Sequence, residues 1–329
     1  MTTTVDVHAH AIPREMVGAM HDAHPEYGPT LTERENGTYL SYPHGRRSGP
    51  LPEGMLEVSA RLADMDTRGV DHQVISAAPP NFNYAMPANV GMDFTRLQND
   101  ALLATAAKSP ARLSVFADLP LQDMAASLDE LARVVDDPAV RGVEIGSNVN
   151  GRNLDDPDFE PLWGALADAG LAVLVHPDKV AGSERLTSYY LQNFVGNPTD
   201  STIAIASLIF GGVLERHPAL RFCFVHGGGF APYQIGRWDH GWRCRPEAQT
   251  VISTPPSEYF ARLFFDSLTH DRMSLQFLGE RVGWDHVLLG SDYRFDMADG
   301  DPVGSVRSLG LDAALEAQVL GGNAERFLR

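Results

Sequence analysis

Two histidines stand two positions apart in "VDVHAH", His8 and His10, at the end of a short apolar run. Three more runs end on a polar residue: "LAVLVH" on His176, "LRFCFVH" on His226 and "HVLLGSD" on Asp292. Imidazole nitrogen and carboxylate oxygen are donors that zinc, manganese, iron or cobalt accept. Alternate side chains of a strand share a face, so His8 and His10 should point the same way and can reach one ion. That alternation puts Asp6 on their face and Val5 and Val7 on the other. Alone, the pair could equally be solvent-facing histidines at a strand end. Five such residues on four strands are hard to assign to packing. No thiolate joins the set, and neither Lys108 nor Lys179 is placed to bridge two ions. One divalent transition metal is therefore expected. Spacing does not choose among the metals; zinc is the first candidate and manganese the second.

Such residues need elements that bring them together. Eight candidate strands end at His8, Ser76, Ala117, Gly146, His176, His226, Ser267 and Asp292. Helix-like segments at 56–68, 92–108, 123–136, 158–169, 199–215 and 271–282 lie between them. Strand and helix in eightfold alternation predict a (β/α)8 TIM barrel, one domain spanning 1–329. An open doubly wound sheet would be favoured by a G-x-G-x-x-G fingerprint, which is absent. In an α/β barrel the C-terminal strand ends converge on one mouth, where the five polar residues fall. Residues 21–55 break the rhythm with Pro, Gly, His and charge, and read as an insertion near that mouth, with a small hairpin around "GTYLSYP".

The stretch "FCFVHGGGFAPYQIGRWDHGWRCRP" sets three glycines after His226 and then gathers Arg237, Arg243 and Arg245. The glycines should let the backbone turn without crowding a metal and substrate, and a tight strand-to-helix turn alone would also explain them. A lipase-type oxyanion loop would need a G-x-S-x-G nucleophile, and there is none. The net charge is −17 over 329 residues. That charge repels nucleic acid and anionic membrane surfaces, so an anionic ligand must be held by local positive charge. Arginine suits a carboxylate because its planar fork binds both oxygens. The two cysteines, Cys223 and Cys244, make no disulfide framework; Cys223 reads as a buried hydrophobe. No secretory leader or apolar span is visible, and a cytoplasmic location is expected.

The segments "DVHAH", "HPD", "HGGGFAPYQIGRWDHGW", "PPSEYF" and "LLGSDYRF", in this order, resemble the metal-dependent amidohydrolase superfamily. Within it the chain looks most like decarboxylases acting on 2-amino-3-carboxymuconate-6-semialdehyde, resorcylate, carboxyvanillate and isoorotate. The resemblance implies that His8, His10, His176 and Asp292 hold the metal and that His226 handles a proton. It implies that Arg237 binds a substrate carboxylate, often from the neighbouring subunit of a homodimer. Arg47 would be a second carboxylate-binding arginine, and Arg245 falls where relatives carry a basic residue. Two departures sit near the mouth. His176-Pro177-Asp178 stands where relatives read H-P-W, and Ser291-Asp292-Tyr293-Arg294-Phe295 where they read S-D-Y-P-F. The ligands are untouched; the substrate is left open. The expected activity is non-oxidative decarboxylation of a small unsaturated or aromatic carboxylic acid. Hydrolysis of an ester, lactone or amide, with Asp292 or His226 as base, stays open on the same scaffold. So does a non-catalytic metal-binding role.

Overall fold

Eight apolar runs pair side by side in parallel, each long enough to cross a barrel wall and no longer. The computed structural model describes residues 3–43 and 45–329. The strands are β1 Val5–Ala11, β2 Thr30–Arg34, β3 Gly37–Ser41, β4 Arg47–Leu51, β5 His72–Ala77, β6 Leu113–Ala117 and β7 Val140–Gly146. They continue with β8 Asn148–Val149, β9 Arg152–Asn153, β10 Ala172–His176, β11 Arg221–Phe224, β12 Phe264–Asp266 and β13 Val287–Leu288. The main sheet runs β1-β5-β6-β7-β10-β11-β12-β13. The last strand returns to the first: Val7 N–H donates to Leu289 O at 3.0 Å and His10 N–H to Tyr293 O at 2.6 Å. This seam closes the (β/α)8 barrel.

Helices Val58–Arg68, Ala88–Ala107, Met124–Val134, Glu160–Ala169, Asn197–Phe210, Ala231–Cys244 and Arg272–Val282 fill the intervals between strands. Their ends follow local chemistry. Asp123 and Asp271 cap their helices by accepting from Ala126 N–H at 3.1 Å and Ser274 N–H at 2.8 Å. Gly69 and Gly170 end theirs in the left-handed conformation. No helix among the described residues is long and apolar enough to cross a membrane. One apolar layer lies between strands and helices, with Trp163, Phe222 and Phe265 in it. A second fills the barrel, where Val5, Val7, Leu174, Cys223 and Leu288 meet Phe327 of the C-terminal helix. Cys223 is therefore interior packing.

Two expectations change here. Residues 30–51 form a three-stranded antiparallel sheet, β2-β3-β4, rather than a lone hairpin. And β1 does not alternate cleanly. Its register with β5 slips between Asp6 and Ala9, Val5 and Val7 pack in the apolar interior, and the Asp6 carboxylate accepts from His8 N–H at 3.1 Å. Asp6 accepts from Ser291 Oγ at 2.6 Å, Ser291 N at 3.1 Å and Gln73 Nε2 at 2.9 Å.

Arg61 completes that buried network. It donates to Gln73 Oε1 at 2.9 Å and to His10 O at 2.5 Å, and its guanidinium lies 4.4 Å from the Tyr293 ring centre. Burial pushes its pKa down to about 10. Arg61→Met keeps the stem but strands two buried acceptors, so a loss of about 3 kcal/mol in folding free energy is expected. Chemical denaturation measures it, and a loss below about 1 kcal/mol would mean the network does not hold the seam.

Candidate metal centre and substrate pocket

The barrel brings all five sequence-selected residues to one point, by two routes. His8, His10 and His176 stand on strands, the last at the end of β10. His226 and Asp292 do not end their strands as expected. They sit in the turns beyond β11 and β13, both with φ of +55°. That left-handed conformation is unfavourable for a residue with a Cβ and persists only where surrounding contacts enforce it. Past His226 the backbone stays at positive φ. A Cβ at Gly228 would come within 2.6 Å of the Phe265 ring, and one at Gly229 within 2.1 Å of Pro198 O. Protein packing against this turn is enough to require glycine at both positions.

The imidazoles cluster tightly. Ring centroids lie 5.1 Å apart for His8 and His10, 5.3 Å for His8 and His176, and 5.0 Å for His176 and His226. Asp292 Oδ1 is 3.5 Å from His8 Nε2 and 3.3 Å from His10 Nε2; its Oδ2 is 3.5 Å from His226 Nε2. Donor atoms of His8, His176, His226 and Asp292 all lie within 4.8 Å of one another, a group that leaves out His10. Proximity alone thus puts His226 as near the centre as any ligand.

Hydrogen bonding separates them. His8 Nδ1 is fixed by Asp266 Oδ2 at 2.7 Å, His10 Nδ1 by Ala77 O at 3.0 Å, and His176 Nδ1 by Pro177 O at 2.9 Å. Each acceptor holds the proton on Nδ1 and leaves Nε2 with a free lone pair. Nε2 of His8, His10 and His176, and Asp292 Oδ1, are buried with no protein partner. Four orphaned acceptors aimed at one point fit a divalent cation, since such groups rarely remain unpaired. His226 is the exception: its Nδ1 is the unpartnered atom.

Without an ion, the carboxylates set the charge of the cluster. Burial pulls the His8 pKa down, but Asp292 and then Asp266 outweigh it and raise it to about 9. Asp292 lies well below the usual carboxylate range, because His8, His10 and His226 overcome its burial. His176 lies well below the usual imidazole range, through burial and its three histidine neighbours.

Two cavities meet here. One of about 680 Å3 opens over His176 and Asp292 and is lined by Arg46, Arg47, Asp178, Lys179 and Arg294. The other, about 770 Å3, lies on the far side of His226 and is walled by Phe194, Phe230, Tyr233, Met273 and Phe277. Arg47 is therefore at the site. Arg237 and Arg245 are exposed on and just beyond helix Ala231–Cys244 and line neither cavity of their own chain. Arg245 binds Glu247 at 2.8 Å.

The amidohydrolase family model matches residues 5–329. The chain belongs to the amidohydrolase family. It is 33% identical over 338 residues to a 2-amino-3-carboxymuconate-6-semialdehyde decarboxylase of Dictyostelium discoideum, covering 98% of this chain and 91% of that one. Its fold is shared with the 5-carboxyvanillate decarboxylase of Sphingomonas paucimobilis, at TM-score 0.83 and 24% identity over 100% of this chain and 99% of that one. It is also shared with a dihydroxybenzoic acid decarboxylase of a Polaromonas species holding manganese and the inhibitor 2-nitroresorcinol, at TM-score 0.81 and 18% identity over 100% and 97%. In this amidohydrolase, residues beyond those selected from sequence hold the site. Asp266 is the main one: besides fixing His8 it accepts from Gly227 N–H at 2.8 Å, tying β1 to the glycine turn. Its signal was a lone acid closing the apolar run "RLFFD". Glu144 of β7 is fully buried 3.9 Å from His10 Nδ1.

Proposed function

We propose that this chain is a metal-dependent, non-oxidative decarboxylase of a small aromatic or unsaturated carboxylic acid, with His8, His10, His176 and Asp292 as ligands. The observation that carries this reading is the four buried acceptors beside an imidazole whose own hydrogen-bonding differs. The named relatives, all decarboxylases, support it. When bound, the divalent ion, zinc or manganese, supplies Lewis-acid anchoring for the substrate's oxygens. Arg47, in the cavity wall, holds the carboxylate by its fork. His226 delivers a proton to the carbon bearing that carboxylate. The bond to the carboxylate then breaks, its electron pair returns to the unsaturated system and CO2 leaves.

The test is product analysis on zinc- and manganese-loaded protein with a panel of hydroxy- and aminobenzoates. CO2 should appear in step with the decarboxylated ring. Water oxygen entering a cleaved ester or lactone, with no CO2 from any acid, would favour hydrolysis instead.

We further propose a homodimer in which Arg237 serves the partner's cavity. Tyr233 and Met273, 76% and 77% exposed, rim an apolar cavity that water covers poorly. Arg237 lies one helical turn from Tyr233, on the same face. A second copy seated there would receive the arginine. Mixing inactive Arg237→Ala and His226→Ala chains should then restore about a quarter to a half of the activity, since hybrid dimers carry one intact site. No rescue would put Arg237 outside the active site. The cytoplasm is the compartment we assign, on the free thiols Cys223 and Cys244.

A further inference from the structure

The cavity over His176 and Asp292 holds cations suited to an acid and two further carboxylates, Asp178 and Asp296, of which Asp296 accepts from the Tyr190 hydroxyl at 3.1 Å. Asp178 lines it, half-buried, two residues past His176. Its backbone is pinned: Asn148 Nδ2 donates to Asp178 O at 2.9 Å and also to Asp200 Oδ2 at 2.9 Å. The side chain is not neutralised in the same way. Among the described residues no basic side chain lies within 4.0 Å of it. Lys179 is exposed, at φ of +48°. Arg46 stacks 5.6 Å from the Tyr42 ring, and Arg294 Nε lies 3.2 Å from Asp64. The Tyr42 hydroxyl donates to Asn81 Oδ1 at 2.9 Å.

A carboxylate in the wall of an anion pocket repels the ligand that the pocket collects. It is tolerated where the ligand brings a donor to it, because an enclosed acceptor left unpaired is unfavourable. Such a group discriminates more sharply than any apolar contact: an analogue lacking the donor leaves it stranded. We infer that Asp178 is a specificity-determining residue that accepts a hydrogen bond from an amino or hydroxyl group on the substrate. The acid this site takes then carries a donor on the side facing Asp178, while its carboxylate lies toward Arg47 and the metal ligands. The inference rests on the proposed function only in requiring that the ligand be a carboxylic acid.

Equilibrium binding tests it without turnover. Benzoate and the three isomers each of aminobenzoate and hydroxybenzoate are titrated into zinc-loaded wild type, Asp178→Asn and Asp178→Leu. In wild type at least one donor-bearing isomer should bind about tenfold tighter than benzoate. That ratio should fall about threefold in Asp178→Asn and close to one in Asp178→Leu. Metal content and melting temperature confirm intact protein, and if the leucine variant does not fold, the near-isosteric Asp178→Asn decides. No preference in wild type, or the same preference in the variants, overturns the inference. The two readings fail separately. An Asp178-dependent preference without CO2 release would sink only the decarboxylase, and CO2 release indifferent to Asp178 only the specificity role.

Discussion

His226→Ala is expected to lower kcat about a thousandfold while the bound metal stays in place. The reason lies in which nitrogen is committed. His8, His10 and His176 each have Nδ1 tied to an acceptor and Nε2 turned to the common point, whereas His226 has its Nδ1 free and its Nε2 3.5 Å from Asp292 Oδ2. Of the four clustered imidazoles it is the one that lines the apolar cavity. Such a group can take up and hand over a proton. The measurement is metal per chain alongside kcat, in protein whose melting temperature is unchanged. If the variant loses its metal, then His226 is a ligand with His8, His176 and Asp292, as proximity by itself would have it, and the proton must come from elsewhere.

The second large effect is on the metal. Wild type should carry about one divalent ion per chain; His176→Ala combined with Asp292→Ala should carry none and turn over nothing. Asp292 holds the set together electrostatically, because it faces His8, His10 and His226 at once. Asp292→Asn separates charge from backbone, since asparagine tolerates the left-handed conformation at φ of +55° that alanine resists. Asparagine should also lose the ion. Metal content unchanged in the double variant would end the one-metal reading. Chelation of wild type should reproduce the inactive state, and added zinc or manganese should reverse it.

The clustering of His8, His10, His176, His226 and Asp292 was legible in the sequence because apolar runs ending in His or Asp are both strand markers and donor markers. The barrel was legible from the same runs. What could not be read were features set by neighbours far along the chain. Asp6 was expected to share a face with His8 toward the site, and it is instead taken up by Gln73 and Ser291. Arg61 looks in sequence like an ordinary polar helix position; only Gln73, His10 and Tyr293 explain why it is buried. Asp266 closes an apolar run as Asp292 does, but its role depends on His8 and Gly227 arriving from either side. The glycines after His226 were legible as a turn, not as a surface fitted to Phe265 and Pro198.

The seam between β13 and β1 has a further consequence. It joins the beginning of the chain to its end, and His8, His10 and Asp292 lie on its two sides. An ion gripped by these residues is a clasp on a ring, linking positions whose free separation in an unfolded chain is entropically dear. Binding therefore stabilises closure by mass action, and closure creates the binding site. A nascent chain halted before Val287 would hold His8, His10, His176 and His226, yet have neither the seam nor the carboxylate. Metal capture by this set would thus require the closed ring.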